Sequence, residues 1–206
     1  MQRAHQILGA LLALACAGMA QAEPGYFRYP AIRGDTVVFT AEGDLWAVPA
    51  SGGQARRLTS HPAEETQATI SADGRDIAFV AAYDGVPDVY LMPLAGGAPR
   101  RLSFDGGRIW VQGFAPDGAV LYATENTIGP SLRRVLRAVD PRSGAQREYP
   151  LADANEGVFD ASGETLWFTR FGLHLSTDNA RGYRGGAMAQ VWRWSTGSTN
   201  EAVRLA

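Results

Sequence analysis

Two histidines stand apart from the first residues of the chain, His61 in SHPAEE and His174 in FGLHLS, and either has the side chain of a general base. A serine nucleophile also needs that base within hydrogen-bond reach and an oxyanion site, usually on a sharp turn. No G-x-S-x-G elbow occurs anywhere in the sequence, so both histidines read as loop or packing residues. Metal chemistry is no better supplied, with no H-x-x-x-H pair and a single cysteine, Cys16. Asp84 and Asp88, in YDGVPDVY, carry oxygen ligands of the kind calcium takes, but DGVPD lacks the dense alternation of carboxylates found in such loops. Turn and strand-entry roles are expected for them. The doublets Arg56–Arg57 and Arg100–Arg101 recur in RRL. Successive residues of a strand point to opposite faces, so one arginine of each doublet can lie along a sheet while the other meets solvent or an acidic neighbour. A structural ion pair is the expected use, and binding of a substrate carboxylate the alternative. No catalytic, cofactor-binding or metal-binding residue is assigned on these grounds, and no cofactor is expected.

The elements that would position these groups are written in two recurring phrases. DLWAVPASGGQARRLTS, from Asp44, returns as DVYLMPLAGGAPRRLSF, from Asp88, 44 residues later. ISADGRDIAFV, FAPDGAVLYAT and FDASGETLWFT form the second phrase, with Gly74, Gly118 and Gly163 at intervals of 44 and 45, after a degenerate first copy, IRGDTVVFT. ADG, PDG and ASG put turn formers between short apolar runs. Aspartate bonds its own backbone and glycine accepts positive φ, which makes a tight hairpin. The runs are rich in Val, Ile, Phe, Tyr and Trp, as buried strands should be. A second hairpin follows at PASGGQA and PLAGGAP, so each unit is four antiparallel strands, with the opening phrase as its outer half.

Four strands per unit of about 40–45 residues is the pattern of a β-propeller blade. A sandwich would not explain why two phrases recur in the same order and phase. The expected fold is therefore all-β, a propeller of about four blades near residues 29–60, 66–104, 108–150 and 155–206. SLRRVLRAVD has apolar residues at helical spacing, yet it falls in phase with DLWAVPA and is read as a strand. The link between the first two blades carries Glu64 and Glu65, which either face the axial channel as a local negative potential or sit in a solvated loop. Between Phe171 and Val191 the fourth unit is interrupted by a glycine- and aromatic-rich insertion, here taken as 172–190, open to reading as a contact surface or a mobile loop. Propellers close with roughly four to eight blades, and AVRLA, at the chain end, is in register with ARRLT and PRRLS. The expectation is a fragment of a larger ring, a closed four-bladed ring being the alternative.

The 206 residues are 46% hydrophobic, with 19 basic and 21 acidic side chains, and every basic one is arginine. Such a balance excludes nucleic-acid or membrane-surface binding driven by net charge. MQRAHQILGALLALACAGMAQA has a basic start at Arg3, an apolar run from Ile7 to Cys16 and small residues at Ala20 and Ala22. That order predicts a secretory signal peptide over residues 1–22 and a periplasmic protein over 23–206. The run is shorter than the roughly 20 residues of a membrane span. A lipid anchor through Cys16 is the alternative, although the preceding ALA lacks the leucine usual three positions before such a cysteine. Cleavage after Ala22 leaves no cysteine and hence no disulfide.

GYFRYPAIRGD, EGDLWAVPASGG and YDGVPDVYLMP, within Gly25 to Ser103, closely resemble the start of tricorn-type serine peptidases, and the resemblance extends more loosely to the chain end. The phrases ADG…IAF and RRLT also resemble the propeller of the translocation protein TolB. The first resemblance implies a six-bladed propeller, of which these blades are part, followed by a seven-bladed one, a PDZ domain and a catalytic region with a Ser/His system. It implies, too, that the propellers gate a chamber through which peptides pass, in a homo-oligomer. None of the catalytic motifs falls in this sequence, so no catalytic residue is carried over. The signal peptide departs from the archaeal, cytosolic type and implies an exported bacterial relative. A TolB-like periplasmic protein-binding module and a freestanding ligand-binding propeller are the alternatives.

Overall fold

The computed structural model describes residues 25–125, 134–170, 188–198 and 201–205. The signal segment with Cys16, His174 and residues 172–187 of the insertion lie outside them. Among the described residues, sixteen strands form four antiparallel sheets of four, each ordered as in the chain. The first holds β1 (Phe27–Arg33), β2 (Thr36–Ala41), β3 (Asp44–Pro49) and β4 (Arg56–Arg57). The second runs from β5 (Glu65–Ile70) through β6 (Asp76–Ala81) and β7 (Asp88–Pro93) to β8 (Arg100–Arg101). The third contains β9 (Ile109–Phe114), β10 (Val120–Thr124), β11 (Val135–Val139) and β12 (Gln146–Glu148). In the fourth are β13 (Ala154–Phe159), β14 (Thr165–Arg170), β15 (Gln190–Ser195) and β16 (Val203–Arg204). The part of SLRRVLRAVD that is described is strand β11, as its phase predicts. No helix long and apolar enough to cross a membrane is present among the described residues.

Turn chemistry sets the hairpins. At ISADG the Ser71 hydroxyl donates to Asp73 Oδ1 at 2.7 Å and accepts the Asp76 N–H at 2.9 Å. Gly74 then takes φ 73°, which a residue with a side chain adopts only at a cost. The same device closes the fourth blade, where Ser162 donates to Asp160 Oδ1 and Gly163 has φ 76°.

The core lies between the sheets, in three layers. Val38, Leu45 and Ala47 of the first blade meet Ile77, Phe79, Tyr90 and Met92 of the second. Ala78, Val80 and Val89, on the opposite face of that second blade, meet Val111, Val120 and Tyr122 of the third. Leu121, Leu136 and Ala138 meet Leu166, Phe168 and Trp194 of the fourth. Period-two alternation thus sends each middle strand toward both neighbours at once, which is why these strands read as continuously apolar. Each wholly buried side chain such as Phe79 contributes roughly 2–3 kcal/mol by burial.

Candidate functional site: the axial channel and the junctions between blades

The strands β1, β5, β9 and β13 are the innermost of their sheets and wall a common axis. Each carries one extra residue relative to its partner, at nearly the same level. Arg28 pairs with Thr40 and Ala31 with Val38; Thr66 pairs with Val80 and Thr69 with Ala78. In the third blade Gln112 is the unmatched residue, and in the fourth the shift falls between Ala154 and Gly157. A bulge bends its strand, sharpens the twist and re-aims a side chain. Here it gives Tyr29 and Gln67 left-handed backbone, with φ 51° and 54°, and brings them with Gln112 to a cavity of about 340 Å³ between the first three inner strands. Toward the Asp-Gly turns the channel widens into a cleft of about 1420 Å³, where Arg33, Asp73, Asp117 and Asp160 lie among the lining residues.

On the outer strands, charged side chains close each blade and join it to its neighbour. Arg57 bonds the carboxylate of Asp44, and Arg101 that of Asp88, each pair bridging β3 to β4 or β7 to β8 within one blade. Their neighbours reach outward: Arg56 donates to the carbonyl of Leu94 at 3.0 Å, and Arg100 to that of Pro141, each in the next blade. The doublet therefore divides its labour, one guanidinium closing a blade and one joining it to the next. Both guanidinium planes suit this use, since each offers several donors in a fixed fork. The third blade reverses the arrangement, with Arg137 on β11 and Glu148 on β12, 2.9 Å apart.

Asp88 is wholly buried and accepts from Ser103 Oγ at 2.7 Å; Asp84 accepts from Tyr90 Oη at 3.0 Å and Arg101 at 3.2 Å. Burial, with the bond to Asp84, pushes the Tyr90 phenol up to about 12. These are the turn and strand-entry roles expected of Asp84 and Asp88. Among the described residues no group of three or more His, Cys, Asp or Glu is gathered as a metal site. Neither Glu64 nor Glu65 is among the residues lining the channel cavities. Glu64 is exposed and pairs with Arg28. Glu65 is wholly buried at the junction of the first two blades, where Thr59 donates to one oxygen at 2.9 Å and Tyr83 to the other at 2.7 Å. Burial raises its pKa, the two hydroxyls opposing that shift, while Asp44 raises it further and His61 lowers it. His61 packs its ring on Tyr83, 4.2 Å between centroids, and accepts the Ala63 N–H on Nδ1. That is the packing role its loop position predicts. The buried place of Glu65 at the blade junction, where a channel-facing or solvated position was expected, and the bulge residues are what sequence reasoning missed.

The free faces are as informative as the buried ones. Phe39 and Trp46 of the first blade pair as Phe79 and Tyr90 do in the second. In the second blade those side chains are buried against the first; in the first, the same face is left uncovered, with Phe27 and Ile32 exposed on it and Phe27 edge-on to Phe39 at 5.3 Å.

Comparison with known proteins gives a consistent answer. The family described as the tricorn protease N-terminal beta propeller domain matches residues 24–206. Tricorn protease homolog 1 of Streptomyces coelicolor is 32% identical over 183 residues, 83% of this chain but 16% of that protein. The crystal structure of the tricorn protease superposes with a TM-score of 0.70 at 24% identity, over 83% of this chain and 17% of the other. TolB from Agrobacterium tumefaciens reaches the same TM-score at 19% identity, over 89% and 63%. These two likenesses speak for the fold alone, and the chain spans about a sixth of the length of the Streptomyces homologue and of the tricorn protease.

Proposed function

The chain belongs to the tricorn protease N-terminal β-propeller family, and from that premise we propose that it serves as the gate or scaffold of an exported tricorn-like serine peptidase. The observation that carries this reading is the uncovered first face. Its Phe39 and Trp46 occupy the positions that blade-to-blade packing fills at Phe79 and Tyr90, so the four blades are built to be continued around their axis by others of the same kind. A six-bladed ring would then enclose the channel, and peptide substrates or products would pass along it between solvent and a catalytic chamber. In this division of labour the chain supplies the wall, and the nucleophile belongs to another part of the same assembly. Residues 1–22 direct export to the periplasm, and a lipid anchor at Cys16 is the variant of that reading which labelling with palmitate would reveal.

The test is to express the complete reading frame with and without residues 23–206 and to follow hydrolysis of short fluorogenic peptides and of an unfolded protein. Loss of the propeller is expected to leave some hydrolysis of short peptides while abolishing the size selection of substrates. A complete protein that hydrolyses neither substrate would overturn the reading.

A further inference from the structure

We propose that the junction of the first two blades is a proton-operated latch, in which uptake of one proton by Glu65 releases the Thr59 hydroxyl to bond Asp44. Independently of the peptidase reading, the ground for it is a difference between two junctions of the same chain. At the end of the second blade Ser103 accepts the Val89 N–H at 2.9 Å and donates to Asp88 Oδ1 at 2.7 Å, while Arg101 holds the other oxygen of Asp88. Thr59 stands in the same place one blade earlier: it accepts the Leu45 N–H at 2.8 Å, and Arg57 holds Asp44 Oδ2. There the hydroxyl proton goes elsewhere. Thr59 donates to Glu65 Oε2 at 2.9 Å, and Asp44 Oδ1 is buried with no donor. Glu65 opens β5, where β9 opens on Ile109 and β13 on Ala154, so neither of the next two inner strands brings a carboxylate to that place.

Two buried carboxylates thus contend for one hydroxyl, which has a single proton to give and two lone pairs. With Glu65 ionised, Thr59 serves it and leaves an Asp44 oxygen short of a bond, which a buried atom bears at a cost. A proton taken from solvent onto Glu65 Oε2 reverses the flow. The new O–H donates to Thr59 Oγ1, the Leu45 N–H keeps the second lone pair, and Thr59 turns its own proton to Asp44 Oδ1, as Ser103 does to Asp88. Tyr83 remains the donor to Glu65 Oε1. One buried charge is neutralised and the orphaned oxygen gains a donor, so the junction tightens. The charged and titratable groups around Glu65 are Asp44 from β3 with Arg57 from β4 beyond it, His61 from the link, Tyr83 with Tyr90 against it, and the Arg28–Glu64 pair at the exposed rim. Burial first, then the charge of Asp44, favour the protonated form, whereas the two hydroxyls and His61 oppose it.

The test is hydrogen exchange read by mass spectrometry on the full-length protein, corrected for the intrinsic effect of pH, over residues 43–48 and 57–66, with 87–92 and 101–110 as the internal reference. Between pH 7.5 and 5 the protection of the first junction is expected to rise about tenfold while that of the second changes little. Histidine changes charge over the same range, so His61 is kept in every variant, and Glu65→Gln should hold the high value at both pH values. The hydroxyl transfer is tested at pH 7.5 alone, with Thr59→Val and Asp44→Ala made singly and together. Their effects on protection should be additive beside ionised Glu65 and coupled about fivefold in the Glu65→Gln background, whose neutral amide donates to Thr59 as the protonated carboxyl does. Equal coupling in the two backgrounds would overturn the proposal. So would a wild-type first junction whose protection does not rise relative to the second on acidification, a comparison that needs no variant to fold.

Discussion

Arg57 is the one hydrogen-bonding partner of the Asp44 carboxylate found among the described residues, and the other oxygen of Asp44 is buried without any. Removing one partner of a buried charge leaves the other uncompensated, which costs more than the pair itself contributes. Arg57→Ala is therefore expected to destabilise the protein by about 2–4 kcal/mol, the half-exposed guanidinium keeping the figure at the lower end of that range. Asp88 in the next blade keeps Ser103 Oγ and the Asp105 N–H when Arg101 is removed, so Arg101→Ala should cost about 1–2 kcal/mol. Urea denaturation of the two variants checks the order, and equal losses would show that the second pair has no such support.

The partner of that doublet gives a contrasting expectation. Among the described residues Arg56 bonds only the carbonyl of Leu94 in the neighbouring blade, in an exposed contact that water replaces readily. Arg56→Ala should lower stability by less than about 1 kcal/mol. A loss matching that of Arg57→Ala in the same denaturation series would mean that the link between blades, rather than closure of each blade, dominates.

Glu65 makes the first junction sensitive to pH. Its folded pKa is raised above the ordinary value of 4.5, chiefly by burial, so the folded state holds the proton more tightly than the unfolded one. The folded protein then gains stability as pH falls through the raised value toward 4.5, and loses it as pH rises back through that window. The Glu65→Gln variant cannot titrate and should show a flatter dependence of melting temperature between pH 7.5 and 5, with higher stability at pH 7.5. Asp73, Asp117 and Asp160 work in the opposite sense. Bonds from Ser71 and Ser162 lower Asp73 and Asp160, and Arg147 lowers Asp117 against its burial. Their contribution is lost as pH falls below the ordinary carboxylate range. They are present in both proteins, so the difference between wild type and Glu65→Gln isolates the junction.

The blades were legible because their turns and middle strands announce themselves locally: Asp-Gly between apolar runs needs no knowledge of a neighbour. The Asp44–Arg57 bridge was nearly legible, since the spacing recurs at Asp88–Arg101. The bulges were not, because an extra residue in β5 is defined only against its pairing with β6, and Thr66, Gln67 and Ala68 look locally like any strand. Glu64 and Glu65 are the same residue type side by side. Which one enters the junction is decided by Thr59 and Tyr83, which arrive from different blades.

Gly157 marks how closely the third and fourth blades approach. A Cβ placed there would lie 2.6 Å from Leu136 Cδ1, inside the shared core. Leu136 is wholly buried and has little room to move, so Gly157→Ala should cost about 1–3 kcal/mol by overpacking. Leu136→Ala alone costs about 2–5 kcal/mol through the cavity it leaves. If the clash is the cause, the double variant should be distinctly more stable than the sum of the single losses predicts. Strict additivity in thermal melts would place the penalty of Gly157→Ala elsewhere.

The uncovered face of the first blade governs how these residues behave on their own. Phe27 and Ile32 are about two-thirds exposed, at 64% and 66%, beside Phe39 and Trp46. An apolar sheet face of that kind promotes association with further copies. Produced as residues 23–206 alone, the protein is expected to sediment as concentration-dependent oligomers and to bind a hydrophobic dye. Ile32→Lys puts a charge on that face without touching the buried layers, so it should shift the distribution toward monomer with little change in melting temperature. If the unsubstituted protein instead runs as a monomer with one sharp cooperative transition, the four blades satisfy themselves, and a small closed propeller becomes the better description.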